Sequence, residues 1–144
     1  MSTNTRVMAA TPEKVWDVLA DGWLYPVWVV GASRMREVDD HWPEVGAKLH
    51  HSVGIWPALL DDTTEVLAAS VGSMLQLRAR AWPGGEAQVT IHLRPQGSQC
   101  EVTIEEDAVR GPGVLVPKPL RDPPLALRNV ESLNRLAFIA ESRE

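Results

Sequence analysis

A chain of 144 residues, 44% hydrophobic and 23% charged, has the size and balance of one soluble globular domain spanning residues 1–144, which excludes a disordered or fibrous protein. Its net charge of −5 excludes the basic field that nucleic-acid phosphates require. A lone Cys100 excludes an internal disulfide and a cysteine-built zinc site, and no apolar run is long enough for a signal peptide or membrane insertion, so a cytoplasmic setting is expected.

Thr3–Ala9 reads as a short strand. Thr11, Pro12 and Glu13 then supply an N-cap, a ring-locked first helical residue and a first-turn acid, and Val15, Trp16 and Leu19 share one face of the helix they start. Asp21-Gly22 ends it. The apolar run Trp23–Val30 contains Pro26, which excludes a central strand and predicts a second short helix.

Six more strands are expected, at Arg34–Asp39, Lys48–Ile55, Thr63–Ser70, Met74–Trp82, Glu86–Arg94 and Gln99–Val109. Turn chemistry at Val71-Gly72-Ser73, Pro83-Gly84-Gly85 and Pro95-Gln96-Gly97-Ser98 makes the later strands hairpins, hence antiparallel. Met35 and Val38 have opposite parity, so the second strand should carry a bulge. Alternation sends Leu75, Leu77, Ala79 and Ala81 to one face, with Ala87, Val89, Ile91 and Leu93, and with Cys100, Val102 and Ile104. The opposite face is a lattice of Arg, Thr, His and Glu.

Between the last strand and the C-terminal helix, Arg110–Leu120 is proline-rich yet carries four aliphatics, which fits a lid or rim over the groove. Asp122–Glu144 is the best-defined element. Pro123 and Pro124 suit a first turn, and at about 100° per residue Ala126, Leu127, Val130, Leu133, Leu136, Ala137, Phe138 and Ala140 gather on one side, interrupted by Asn129 and Asn134. Arg128, Glu131, Ser132 and Arg135 fall on the other side. Such a helix needs a covering surface, and the strands supply it: a curved sheet receiving a helix around a cavity.

The same parity puts two polar side chains on the apolar face, His51 in Lys48–Ile55 and Glu106 at the end of the last strand. A buried polar group without a partner costs about 1–3 kcal/mol, so these two and the helix amides must pair with each other, with water or with a ligand. His51 and Glu106 are therefore the acid–base candidates. Trp28, His51, Val53, Trp56, Leu77, Ile91, Ile104, Asn129, Leu133 and Ala137 are the candidate ligand-binding set, since an apolar wall with a few polar fixtures is the usual form of a small-molecule site. Small side chains at Ala79, Ala81, Ala137 and Ala140 favour a cavity over a filled seam. No metal site is expected: His50 and His51 point to opposite faces, His41 lies in a turn and His92 on the outer face. No phosphate-cradling glycine loop or nucleophile elbow is present, so no cofactor is expected.

Three segments resemble the START-like or SRPBCC superfamily, in its polyketide cyclase/dehydrase and lipid-transport branch. They are Ala10–Asp21, Trp42–His50 with its Trp-Pro-x-Val-Gly turn, and Arg128–Leu136 with its Arg-Asn-x-x-Ser-Leu-x-x-Leu helix. The resemblance implies an α+β helix-grip fold of START/Bet v 1-like type: a curved antiparallel sheet of about seven strands wrapped around a long C-terminal helix, with two short helices after the first strand. It carries over no catalytic residue, and Gly97-Ser98-Gln99-Cys100 departs from the branch's usual entry to the last strand.

The leading expectation is binding of a small hydrophobic, aromatic or polyketide-like ligand; the alternative is a cyclase or dehydratase using His51 and Glu106. A third, protein interaction in the manner of the superfamily's co-chaperone members, requires a large exposed apolar patch. Ligand identity and oligomeric state are left open.

Overall fold

The computed structural model describes residues 2–30, 32–53, 60–81, 85–110 and 118–142. Seven strands, β1 (Ser2–Met8), β2 (Ala32–Val38), β3 (Lys48–Val53), β4 (Leu60–Ser70), β5 (Met74–Ala81), β6 (Gly85–Gln96) and β7 (Gln99–Arg110), form one curved antiparallel sheet in the order β1-β7-β6-β5-β4-β3-β2. Helix α1 (Pro12–Ala20), a 3₁₀ turn (Gly22–Leu24) and α2 (Tyr25–Trp28) fill the crossover between β1 and β2. Helix α3 (Lys118–Ser142) ends the fold. The α+β helix-grip expectation holds.

Local chemistry explains most of these boundaries. The Thr11 hydroxyl accepts a hydrogen bond from the Lys14 N–H at 3.3 Å, satisfying one orphan donor of α1, with Pro12 at the first helical position. Gly72 and Gly97 take φ of 79° and 61° in the β4–β5 and β6–β7 hairpin turns, a region costly for any side chain. The β2–β3 ladder shifts register between Ala32 and Arg34 and again between Met35 and Glu37. That irregularity lets Met35 and Val38, of opposite parity, both pack against the core.

Helix α3 departs from expectation at its start and on its faces. It begins at Lys118, so Pro123 and Pro124 lie in its second turn and withhold donors from carbonyls of the first, where Pro119 and Leu120 are exposed to solvent. Residues 111–117 of the expected lid lie outside the described residues. The buried face is Asn129, Ser132, Leu133, Leu136, Ala137 and Ala140. Leu127 and Phe138, expected inside, are 76% and 75% exposed, because each lies roughly 150–170° around the helix from the centre of that face. Asn134 is exposed too, and its side-chain oxygen accepts a bond from Arg6 of β1 at 2.6 Å. The expected arc was too wide: a helix on a curved sheet touches it along a stripe little more than a third of its circumference.

The core runs from Met8, Val15, Val18 and Leu19 through Leu49, Leu75, Leu93, Cys100 and Val102 to Leu133 and Leu136. Gly22 is where α1 hands over to the 3₁₀ turn. A Cβ there would come within 2.6 Å of Leu49 Cδ2 and 2.8 Å of Val38 Cγ1, so β2 and β3 approach this backbone too closely for any side chain. Gly22→Ala is expected to destabilise the protein by about 1–3 kcal/mol through overpacking against the stiff Val38, read as a lower urea midpoint with an unchanged slope.

Candidate functional site

Helix α3 lies against β1, β7, α1 and α2, so it is seated toward one margin of the concave face. Its C-terminal half closes the seam, with Leu133, Leu136, Ala137 and Ala140 no more than 2% exposed. Over the middle of the helix a cavity of about 320 Å³ remains between helix and sheet. The sheet lines it with His51 from β3, Thr64 from β4, Leu77, Ala79 and Arg80 from β5, Val89 and Ile91 from β6, and Ile104 and Glu106 from β7. Tyr25, Trp28, Val29 and Val30 close one end, and α3 adds Arg128, Asn129 and Ser132.

Of the candidate ligand-binding residues, Trp28, His51, Leu77, Ile91, Ile104 and Asn129 line this cavity. Leu133 and Ala137 do not; they belong to the packed half of the helix, and the alanines there bring the backbones together where a cavity was expected. Trp56 and the side chains of Val53 and Ala81 lie outside the described residues. Sequence reasoning missed Tyr25, Thr64, Arg128 and Ser132. Tyr25 precedes Trp28 by three, one helical turn, which was the available signal. Thr64, which is 0% exposed, follows from extending β4's alternation through buried Val66.

Two polar groups share the cavity. In the first, the Thr64 hydroxyl bonds His51 Nε2 at 2.7 Å and the Tyr25 hydroxyl at 3.4 Å, linking β3, β4 and α2. The Tyr25 ring lies 5.6 Å from both His51 and Trp28, tilted to one and edge-on to the other. Burial pushes the Tyr25 phenol above its ordinary 10.0; the Thr64 bond opposes that, and the Glu106 carboxylate adds to the rise while Arg128 works against it. In the second, the buried Glu106 carboxylate accepts a hydrogen bond from Arg128 Nη2. Arg128 was expected on the solvent side; it stands at the margin of the buried face, and its long side chain reaches back to β7.

His51 and Glu106 were expected to act as one acid–base pair, and the fold gives each a different partner. Four strand steps separate β3 from β7, roughly 19 Å along the sheet at about 4.8 Å per step, so the two residues face each other across the cavity. The Asn129 amide is 95% buried and its Nδ2 has no partner among the described residues, an arrangement that costs about 1–3 kcal/mol. Ser132 Oγ accepts the Val30 N–H at 3.2 Å, tying α3 to the end of α2. Among the described residues no three His, Cys, Asp or Glu side chains cluster to hold a metal ion. On the outer face His50 bonds Asp39 at 3.0 Å, and His92 lies 3.8 Å from Glu105.

Residues 2–137 match the family model described as polyketide cyclase / dehydrase and lipid transport. The chain belongs to this family. No curated protein sequence matches it. Solved structures share the fold at low identity. Protein CV1439 from Chromobacterium violaceum is 19% identical, with 98% of this chain and 97% of that one covered and a TM-score of 0.71. Ara h 8.0201 is 9% identical over 98% and 97% of the two chains, with a TM-score of 0.71. The di-domain ARO/CYC protein StfQ of the steffimycin biosynthetic pathway is 12% identical, covering 98% of this family member and 50% of StfQ, with a TM-score of 0.73. No helix among the described residues is long and apolar enough to cross a membrane.

The Glu106–Arg128 pair is asymmetric, its side chains 5% and 39% exposed, and this predicts unequal losses. Arg128→Met strands a buried carboxylate and is expected to cost about 3 kcal/mol, whereas Glu106→Gln leaves an arginine free to turn into solvent and should cost about 1 kcal/mol, both by urea denaturation. Tyr25 is the only tyrosine, so the near-ultraviolet phenolate band reports it alone. Its native titration midpoint should lie above 10.0, and that of the urea-unfolded chain near it. Because the folded value is the higher one, Tyr25 contributes full stability below pH 10.0 and loses that contribution as pH rises through the native midpoint; Tyr25→Phe should remove the loss.

Proposed function

We propose that this family member encloses a small, mostly apolar ring ligand, of aromatic or polyketide-like type, between the concave face and the middle of α3. The carrying observation is the cavity itself. At about 320 Å³ it lies near the lower end of the roughly 300–1,000 Å³ typical of small-molecule pockets, with room comparable to about ten waters. That suits a few fused rings and is too little for a two-chain lipid. Leu77, Ala79, Val89, Ile91 and Ile104 offer apolar wall, Tyr25 and Trp28 an aromatic end, and polar atoms occur at a few fixed points. Arg80 and Arg128 are well-exposed lining residues, which supports an entrance between β5 and the middle of α3. The family's description and the ARO/CYC neighbour support this ligand class.

A second reading, a cyclase or dehydratase, is favoured by the Tyr25–Thr64–His51 chain, which could carry a proton between a ligand oxygen and an imidazole. Tyr25, held neutral, would act there as a donor. Glu106, bound to Arg128, would set the electrostatics of the opposite wall. On a polyketide substrate this reading expects His51→Ala and Tyr25→Phe to lower kcat at least a hundredfold; unchanged turnover removes it.

The binding reading is tested by native mass spectrometry of freshly purified protein and by thermal melts with two- and three-ring aromatic ketones and hydrocarbons. A retained small molecule is expected. A probe at a hundred times its Kd should add about 2.7 kcal/mol, several degrees of melting temperature. Ala79→Phe, which grows a ring into the cavity, should abolish the shift while the far-ultraviolet circular dichroism stays native. No retained molecule from any expression host, together with no shift by any probe, overturns the reading.

A further inference from the structure

We propose that Asn129 and Ser132 form a carbonyl-recognising subsite on the α3 wall, so that the ligand presents a ketone-type oxygen to them and is no bare hydrocarbon. This rests on the binding reading above and sharpens it.

Asn129 and Ser132 are one helical turn apart, so both side chains leave the same face of α3. Both line the cavity, and they are 5% and 4% exposed. The Asn129 Nδ2 has no hydrogen-bond partner among the described residues. Rotation about the terminal torsion exchanges the amide's nitrogen and oxygen in place, so its NH₂ can turn toward the cavity. Ser132 Oγ spends a lone pair on the Val30 N–H, which leaves its own hydrogen to donate. Two donors one turn apart on a rigid helix therefore line a cavity whose sheet side offers Leu77, Ala79, Val89, Ile91 and Ile104 as apolar surface. A carbonyl oxygen has two lone pairs and accepts both; a hydrocarbon leaves both donors dry, and a hydroxyl competes as a donor. The unpaired amide is a cost that an apolar residue of similar size would remove from the ligand-free protein, as expected of a group kept for binding.

The test compares 9-fluorenone with fluorene, of nearly equal shape and differing by one carbonyl, and with 9-fluorenol, by quenching of tryptophan fluorescence and by calorimetry. Wild type should bind fluorenone about tenfold more tightly than fluorene, the factor of one well-formed hydrogen bond. In Asn129→Leu the preference should fall to near unity with fluorene binding retained, and the ligand-free variant should melt at or above wild type. Should Asn129→Leu fail to fold, Asn129→Ala and Ser132→Ala provide the same comparison, each lowering the preference. Equal wild-type affinities, a preference that survives both Asn129 variants, or tighter binding of fluorenol than fluorenone overturns the subsite and leaves the cavity reading standing. Absence of binding by all three probes overturns the subsite; joined by the absence of any retained molecule in native mass spectrometry, it overturns the cavity reading as well.

Discussion

Everything in this molecule follows from how α3 meets the sheet. A helix seated evenly in the trough of a seven-stranded sheet would leave no interior. Here Ala137 and Ala140 are small enough to let the C-terminal half settle close to β1 and α1, while the middle of the helix presents Asn129 and Ser132 to the cavity in place of an apolar stripe. One half of the seam is therefore core and the other half is wall. The packed half supplies the apolar burial that holds the helix, at about 25 cal/mol per Å². The open half is tolerated because that anchoring lies elsewhere.

The polar groups of the cavity are tied to elements that must be correctly placed for the fold to exist. Thr64 joins β4 to β3 through His51 and to α2 through Tyr25; Ser132 joins α3 to the end of α2; Arg128 joins α3 to β7. The same bonds that position these side chains close the ends of the cavity. Their cost in desolvation is partly offset by mutual pairing, and the same burial pushes the Tyr25 phenol upward. Asn129 stands apart as the buried amide whose nitrogen the described protein leaves unpaired.

Much of α3's outer face is apolar as well. Leu120, Leu127, Val130 and Phe138 are exposed on α3, and Trp23 and Val27 on the short helical segment that precedes β2. Their spacing along α3 explains why the stripe read from the sequence was too broad: apolar residues on two faces of one helix blend into a single arc when only periodicity is available. Burial separates them. The inner face is set by the sheet's curvature and the outer one by what the sheet cannot reach.

The sequence alone determined what depends on neighbours in the chain. Strand alternation placed Leu77, Ile91, Ile104, His51 and Glu106 on the concave face, the Thr11-Pro12 signal placed α1, and the clash of parity at Met35 and Val38 announced the β2 irregularity. These are effects of period-two and 3.6-residue geometry, and they survive any tertiary arrangement. Only the tertiary structure decided which inward residues meet. It assigned His51 to Thr64 and Glu106 to Arg128, drew Tyr25 into the cavity, and sent Leu133 and Ala137 to the core. The physical reason is that contacts between elements distant in the chain are set by the curvature of the sheet and the lateral seat of the helix. No window of consecutive residues encodes either.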